Sequence, residues 1–159
     1  MRVVAHDPYV RPGTRGVAGV AMTDLEKLLR ESDFVSVHVP ETPETTGLLD
    51  ASRLRLMRPT AYLVNVTSPS VVDAEALAAV LWGGGLAGAA MDMHETHPIF
   101  PTSPFLGLPN VLLTPHIGGA TKETVERHSR MVVSDLERFL GGKRPRYLAN
   151  PKVWPSGAK

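Results

Sequence analysis

Short runs of β-prone apolar residues alternate along this chain with segments of helical periodicity. Several of the runs, such as Ala61 to Val66, Leu86 to Met93 and Val111 to Thr114, are small or apolar almost throughout. A strand that is apolar on both sides leaves no face for water, so such strands belong in a parallel sheet with helices on both faces. Strand and helix patterns taken in turn give the same answer, because parallel neighbours need a crossover between them.

The first run, Arg2 to His6, is closed by Asp7-Pro8, and Arg11-Pro12-Gly13 with Gly16 reads as a loop before a weak strand at Gly19 to Met22. Thr23 and Glu26 then have the spacing of a capping box, and Leu25, Leu28 and Leu29 share one helix face up to Asp33. Phe34 to Val39 is the next strand, stopped by Pro40; His38 inside it reads as a satisfied core histidine. Asp50 is placed to cap a short helix through Leu54, Leu56 and Met57, which ends near Arg58-Pro59. After the strand Ala61 to Val66, Asp73 caps a helix carrying Leu77, Val80 and Leu81, and Gly83 to Gly85 end it before the strand Leu86 to Met93. His94 to Asn110 is Pro-rich and aperiodic. Beyond the strand Val111 to Thr114, Thr121 opens a last helix whose stripe, Val125, Val132, Leu136, Phe139 and Leu140, runs to Gly141-Gly142. Trp82 and Trp154 read as packing residues, and His128 as a surface residue.

Composition narrows the function. With 159 residues, 43% of them hydrophobic and 21% charged, the chain suits one domain with a true core. A net charge of +1 offers no basic field for nucleic acid. The absence of cysteine removes disulfides and thiolate metal sites and fits a reducing, cytoplasmic setting. The uncharged run Ala76 to Met91 falls short of the roughly 20 residues of a membrane span and is broken by Gly83 to Gly85, so neither a membrane nor a nucleic acid is expected as a partner. His94, His97 and His116 lack a regular ligand spacing, and no metal is expected.

The polar residues that end the strands carry the chemistry. Asp7, Val39, Val66-Thr67-Ser68, Asp92 and His116 fall at or just past the carboxyl ends of their strands, and in a parallel sheet these ends form one rim, where open α/β folds bind ligands. Asp7 has the position of a carboxylate that accepts hydrogen bonds from an adenosine ribose. Its charge repels a 2′-phosphate, which favours NAD over NADP. His116 ends the last strand, and Gly118-Gly119 beyond it permit a tight strand-to-helix turn and close approach of backbone to a ligand.

The words Val37-His38-Val39-Pro40 with Thr42-Pro43-Glu44-Thr45, Asn65 through Val72-Asp73, Ala87 to Asp92, and Thr114-Pro115-His116-Ile117-Gly118-Gly119-Ala120-Thr121 resemble, in order and spacing, the nucleotide-binding domain of the D-isomer-specific 2-hydroxyacid dehydrogenases. The resemblance runs from Val3 to about Pro155. It implies a Rossmann-like α/β fold, incomplete at its N-terminal side, with a partial NAD-binding domain over residues 1–142 and a C-terminal tail over 143–159. It further implies that Asp7 holds the adenosine ribose, that Val39 and the Val66, Thr67 and Ser68 backbone line the dinucleotide groove, and that Asp92 meets the carboxamide of the nicotinamide, with Gly118 and Gly119 close by. His116 becomes the acid/base for hydride transfer between NAD and a 2-hydroxy or 2-keto acid, and a homodimer is implied.

Three departures accompany the resemblance. Ser68 stands where the family carries an arginine that clamps the substrate carboxylate, and a hydroxyl does not replace a fixed cation. His97 stands where a glutamate orients the catalytic histidine. The glycine-rich turn, with its strand and helix, belongs before Arg2 in the family, so Met1 could be an internal methionine of a longer frame, and the edges of two half-sheets are expected to be unpaired unless they join each other or a second copy. The isolated chain is therefore expected to show weak activity or none, and the alternative is a non-catalytic nucleotide-binding or dimerisation fragment.

Overall fold

The computed structural model describes residues 1–14, 16 and 19–154. They divide into two compact units, Met1–His116 and Ile117–Lys159. In the first, strands β1 (Val4–Ala5) and β2 (Ala21–Met22) form a parallel pair, with Val4 beside Ala21 and Ala5 beside Met22. Strands β3 (Phe34–Val37), β4 (Tyr62–Asn65), β5 (Gly88–Met91) and β6 (Val111–Leu113) form a separate parallel sheet in that order. Helix α1 (Leu25–Glu31) leads from β2 to β3, and α2 (Ala51–Leu54) and α3 (Ala74–Trp82) lie in the crossovers from β3 to β4 and from β4 to β5. This is the parallel α/β architecture that the alternation predicts; the two half-sheets do not join each other, so direct pairing between them is ruled out as the way their edges are satisfied.

Alternation along the strands decides which face is the core. Val35 and Val37, Leu63, and Ala89 and Met91 point to one side, where Leu29, Leu54, Leu77 and Leu81 from the three helices close over them. On the other side Phe34 and Tyr62 are register partners whose rings stack 5.2 Å apart, and they keep 65% and 44% of their surface exposed. Gly88 lies next to Tyr62 in the ladder; a Cβ there would come within 2.7 Å of the Asn110 carbonyl and 3.2 Å of the Tyr62 ring.

Several local expectations are corrected. The cap of α1 is Asp24, whose side chain accepts from the Lys27 amide at 2.8 Å. Thr23 is occupied in prolonging the β1–β2 ladder: its amide donates to the Ala5 carbonyl. Strand β3 ends at Val37 because β4 offers register partners only from Tyr62 to Asn65, so His38 is not a core residue. It is exposed and hydrogen-bonds the Ser36 hydroxyl at 2.8 Å. Trp82 is also exposed, at 81%, because it falls on the Glu75–Ala79 stripe of α3, opposite Leu77, Ala78 and Leu81. Asp50 and Asp73 cap α2 and α3 as their spacing predicts.

The second unit is built on α4 (Lys122–Leu140), capped by Thr121, which accepts from the Thr124 amide. Val125, Val132, Leu136, Phe139 and Leu140 do form a stripe, but none of the helix is buried. His128 is exposed, as expected. Asp135 accepts from the amides of Arg146 and Tyr147 at 2.8 Å each and ties the following segment to the helix, while Trp154 packs edge-on against Phe139. Residues 155–159 of the predicted tail lie outside the described residues.

Candidate functional site

Strand β6 delivers its C-terminal residues next to the end of β5. The Thr114 amide donates to the Met91 carbonyl, and the Thr114 hydroxyl donates to Oδ1 of Asp92 at 2.5 Å. Asp92 is thereby held as a buried carboxylate, 8% exposed, at the lip of an otherwise apolar strand. The Thr114 carbonyl accepts from the His116 amide at 3.0 Å and from Nε2 of His94 at 2.9 Å. A carbonyl only accepts, so Nε2 of His94 carries its hydrogen.

His116 itself is exposed and has φ 56°, the non-glycine residue of the described chain in the left-handed region. Neither Gly118 nor Gly119 takes a positive φ; the left-handed residue of this turn is His116. The turn is made by the histidine, and left-handed backbone costs a non-glycine residue about 1–2 kcal/mol unless its surroundings hold it. Gly118 and Gly119 belong to the second unit.

The ring of His97 packs against that of His116, with centroids 5.2 Å apart, and the ring of His94 follows at 6.1 Å from His97. The departure seen in the sequence is thus placed beside the histidine it concerns: an imidazole, not a carboxylate, neighbours His116. Among the described residues no group of His, Cys, Asp and Glu is arranged to hold a metal ion.

At the end of β4, Asn65 is 2% exposed and organises the turn that follows. Its Oδ1 accepts from the amide and the hydroxyl of Thr67 at 3.0 and 2.9 Å, and its Nδ2 donates to the Ser68 carbonyl at 3.3 Å. This side-chain-closed turn aims Ser68 across to the loop after β3, where its hydroxyl donates to Oε2 of Glu41 at 2.5 Å while lying 2.9 Å from the Ser70 hydroxyl. On the same loop the Thr42 side chain, hydrogen-bonded to Glu44, holds that carboxyl below its ordinary value. Val39 is half-buried, and Val66 is 44% exposed.

Asp7 ends β1 on the other half-sheet. One of its oxygens accepts from the Tyr9 amide at 2.8 Å, an Asp-Pro turn of the usual kind, and the residue is exposed. Among the predicted positions of the first unit, Asp7 stands alone, Val39 and Val66 to Ser68 follow β3 and β4 with Glu41, and Asp92, His97 and His116 follow β5 and β6; Gly118 and Gly119 lie in the second unit. A cavity of about 440 Å³ lies between the start of α3 and the loop after β5, lined by Asn65, Asp73, Met91, His94 and Phe105 among others.

These residues fit a dinucleotide along the strand ends. A carboxylate able to accept from ribose hydroxyls stands at β1, exposed Val66 at β4 offers an apolar contact, and a buried carboxylate and an exposed imidazole stand at β5 and β6. Sequence reasoning missed Glu41, Thr114, Asn65 and His94 as members of the site. The available signal was their position: each ends a strand or follows one closely.

Comparison with known proteins gives the family. Residues 1–118 match the family model described as D-isomer specific 2-hydroxyacid dehydrogenase, NAD binding domain. A glyoxylate reductase from Korarchaeum cryptofilum is 44% identical over 153 residues, 96% of this chain and 46% of that protein. A D-3-phosphoglycerate dehydrogenase from Mycobacterium bovis is 38% identical over 141 residues, 89% of this chain and 26% of that protein. Among solved structures, the NAD-complexed D-isomer specific 2-hydroxyacid dehydrogenase from Lactobacillus delbrueckii ssp. bulgaricus superposes with a TM-score of 0.82 at 28% identity, over 94% of this chain and 49% of that one. The chain thus spans less than half the length of these relatives, and within that span it belongs to the D-isomer specific 2-hydroxyacid dehydrogenase family as its NAD-binding domain.

Proposed function

We propose that this chain forms the nicotinamide-binding part of an oxidoreductase that acts on the CH–OH group of small 2-hydroxy acids or reduces the corresponding 2-keto acids. The observation that carries the reading is the Thr114 bridge. It locks Asp92 to the segment that presents His116, so a buried carboxylate and an exposed imidazole follow two neighbouring strands at the carboxyl end of a parallel sheet. NAD held by these residues would supply the acceptor or donor of the hydride. His116 takes the hydroxyl proton in oxidation and gives it back in reduction, a task suited to an imidazole whose unperturbed pKa is about 6.5. Asp92 receives the carboxamide, Asp7 the adenosine ribose, and Val39 with the Val66, Thr67 and Ser68 backbone lines the groove. Gly118 and Gly119 let the chain pass close to the nicotinamide.

On this reading residues 1–142 are the dinucleotide-binding part and 143–159 a C-terminal tail, in a cytoplasmic homodimer. The exposed stripe Val125, Val132, Leu136, Phe139 and Leu140 on α4 supports self-association. Titration of the purified chain with NADH, followed by nicotinamide fluorescence, tests the cofactor. Saturable binding is expected to survive His116→Asn, which abolishes any turnover of a hydroxy acid. Absence of NADH binding, or turnover unaffected by His116→Asn, overturns the proposal.

A further inference from the structure

A 2-hydroxy or 2-keto acid brings a carboxylate to the site, yet the loops at the carboxyl ends of β3 to β6 in the first unit carry no lysine or arginine: none lies between Glu31 and Arg53 or between Arg58 and Lys122. Ser68 spends its hydroxyl on Glu41. The side chains of these loops that can carry positive charge are the imidazoles of His38, His94, His97 and His116. His38 is joined to the Ser36 hydroxyl, and His94 gives its Nε2 hydrogen to the Thr114 carbonyl. His97 is exposed, and among the described residues neither of its ring nitrogens is hydrogen-bonded. Its ring centroid lies 5.2 Å from that of His116, with the planes tilted by 37°. No carboxylate of the described residues pairs with it. Asp92 is bound by the Thr114 hydroxyl, and the exposed Glu95 forms no ion pair with either ring. Glu41 and Glu44 are engaged by Ser68 and Thr42, and Asp50 and Asp73 cap helices.

Resting on the reading above, in which His116 exchanges the proton of a 2-hydroxy acid, we propose that His97 is the specificity-determining residue of the site and, as an imidazolium, binds the substrate carboxylate beside His116. In such an acid the carboxylate is attached to the carbon that bears the hydroxyl, so a substrate whose hydroxyl meets His116 brings its carboxylate within reach of the neighbouring ring. A protonated imidazole donates from both nitrogens, and its charge-assisted hydrogen bond to a carboxylate is roughly twice as strong as a neutral one. A neutral imidazole keeps one N–H and loses the charge. Affinity for the acid therefore follows the protonation of His97, whereas affinity for an uncharged analogue does not.

D-lactate and D-lactamide share a carbon frame and differ in charge, and they test the assignment. Each is titrated into the full chain, with and without NADH, at about pH 5.5 and about pH 8.5, on either side of the ordinary imidazole pKa; D-lactate is ionised at both. The resonances of residues 92–97 and 114–116 report binding by NMR. The wild-type chain is expected to bind D-lactate about tenfold more tightly than D-lactamide at the lower pH and to show no preference at the higher. His97→Gln removes the preference, His97→Arg keeps it at both pH values, and His116→Asn retains it at the lower pH because the charge sits on His97. Equal affinities at the lower pH, a preference that survives His97→Gln or is lost in His116→Asn, or no binding of either probe overturns the assignment. NADH binding is read in the same samples: a chain that binds NADH without preferring D-lactate defeats the assignment of His97 alone, whereas a chain that fails to bind NADH defeats the proposed function.

Discussion

The Thr114 hydroxyl and the Asp92 carboxylate, 22 residues apart in the chain, meet at 2.5 Å and join the ends of two neighbouring strands. Thr114→Val keeps the shape of the side chain and removes this donor from a buried charge. The expected cost is about 1–3 kcal/mol of stability, measured as a lowered urea midpoint at unchanged m-value. The double variant with Asp92→Asn is expected to lose less than the sum of the two single changes, and strict additivity would deny the coupling.

His116 is held at φ 56°, so its replacement separates backbone cost from chemistry. His116→Gly should raise stability by about 1 kcal/mol, because glycine enters the left-handed region freely. His116→Asn should stay within about 0.5 kcal/mol of the parent, since asparagine tolerates the same region. Thermal unfolding of the three proteins decides the matter; a glycine variant less stable than the parent would contradict the assigned conformation.

Gly88→Ala places a methyl group 2.7 Å from the Asn110 carbonyl and 3.2 Å from the Tyr62 ring. Backbone on one side and a stacked ring on the other give it no easy exit, so a loss of about 1–3 kcal/mol is expected. Tyr62→Ala in the same background relieves only the ring contact. Chemical denaturation of the single and double variants should therefore show partial rescue.

The acid limb of stability is set in part by two aspartates. The Ser52 hydroxyl, followed by the Arg53 amide, lowers the pKa of Asp50, and the Arg146 amide leads the groups that lower that of Asp135. In each case the folded value lies below the ordinary 3.8 of the unfolded chain. Their contribution is therefore complete above that value and is lost as the pH falls through the folded pKa. Carboxyl NMR titrations should show both midpoints depressed, and Asp135→Asn should flatten the stability–pH curve below the ordinary 3.8.

Helix starts at Asp50, Asp73 and Thr121 were legible because a cap acts within a few residues of itself. The rim was legible for a related reason: a parallel sheet puts every strand's carboxyl end on one side, so the ends alone name the site. What crosses between loops was not legible. Glu41 reaches Ser68 from 27 residues away, and nothing in either neighbourhood announces the meeting. Local signals also misled where a second role competed for the same residue. Thr23 has the chemistry of a cap but spends its amide on Ala5, and the glycines after His116 drew attention from the residue that makes the turn. Trp82 was misplaced because bulk suggested burial, whereas its helical stripe with Glu75 and Ala79 decided exposure.

The gap between the β1–β2 pair and the four-stranded sheet has a kinetic meaning. A two-residue ladder sharing no hydrogen bonds with its larger neighbour opens by itself, well below the free energy of global unfolding. Amide hydrogens at Met22 and Thr23 should exchange with solvent long before those of Leu63 and Val64. Asp7 rides on the labile pair, while Asp92 and His116 ride on the durable sheet. A molecule long enough to touch both would act as a clasp, and its arrival would be visible as slowed exchange at the weaker end, in the pair of strands that carries neither Asp92 nor His116.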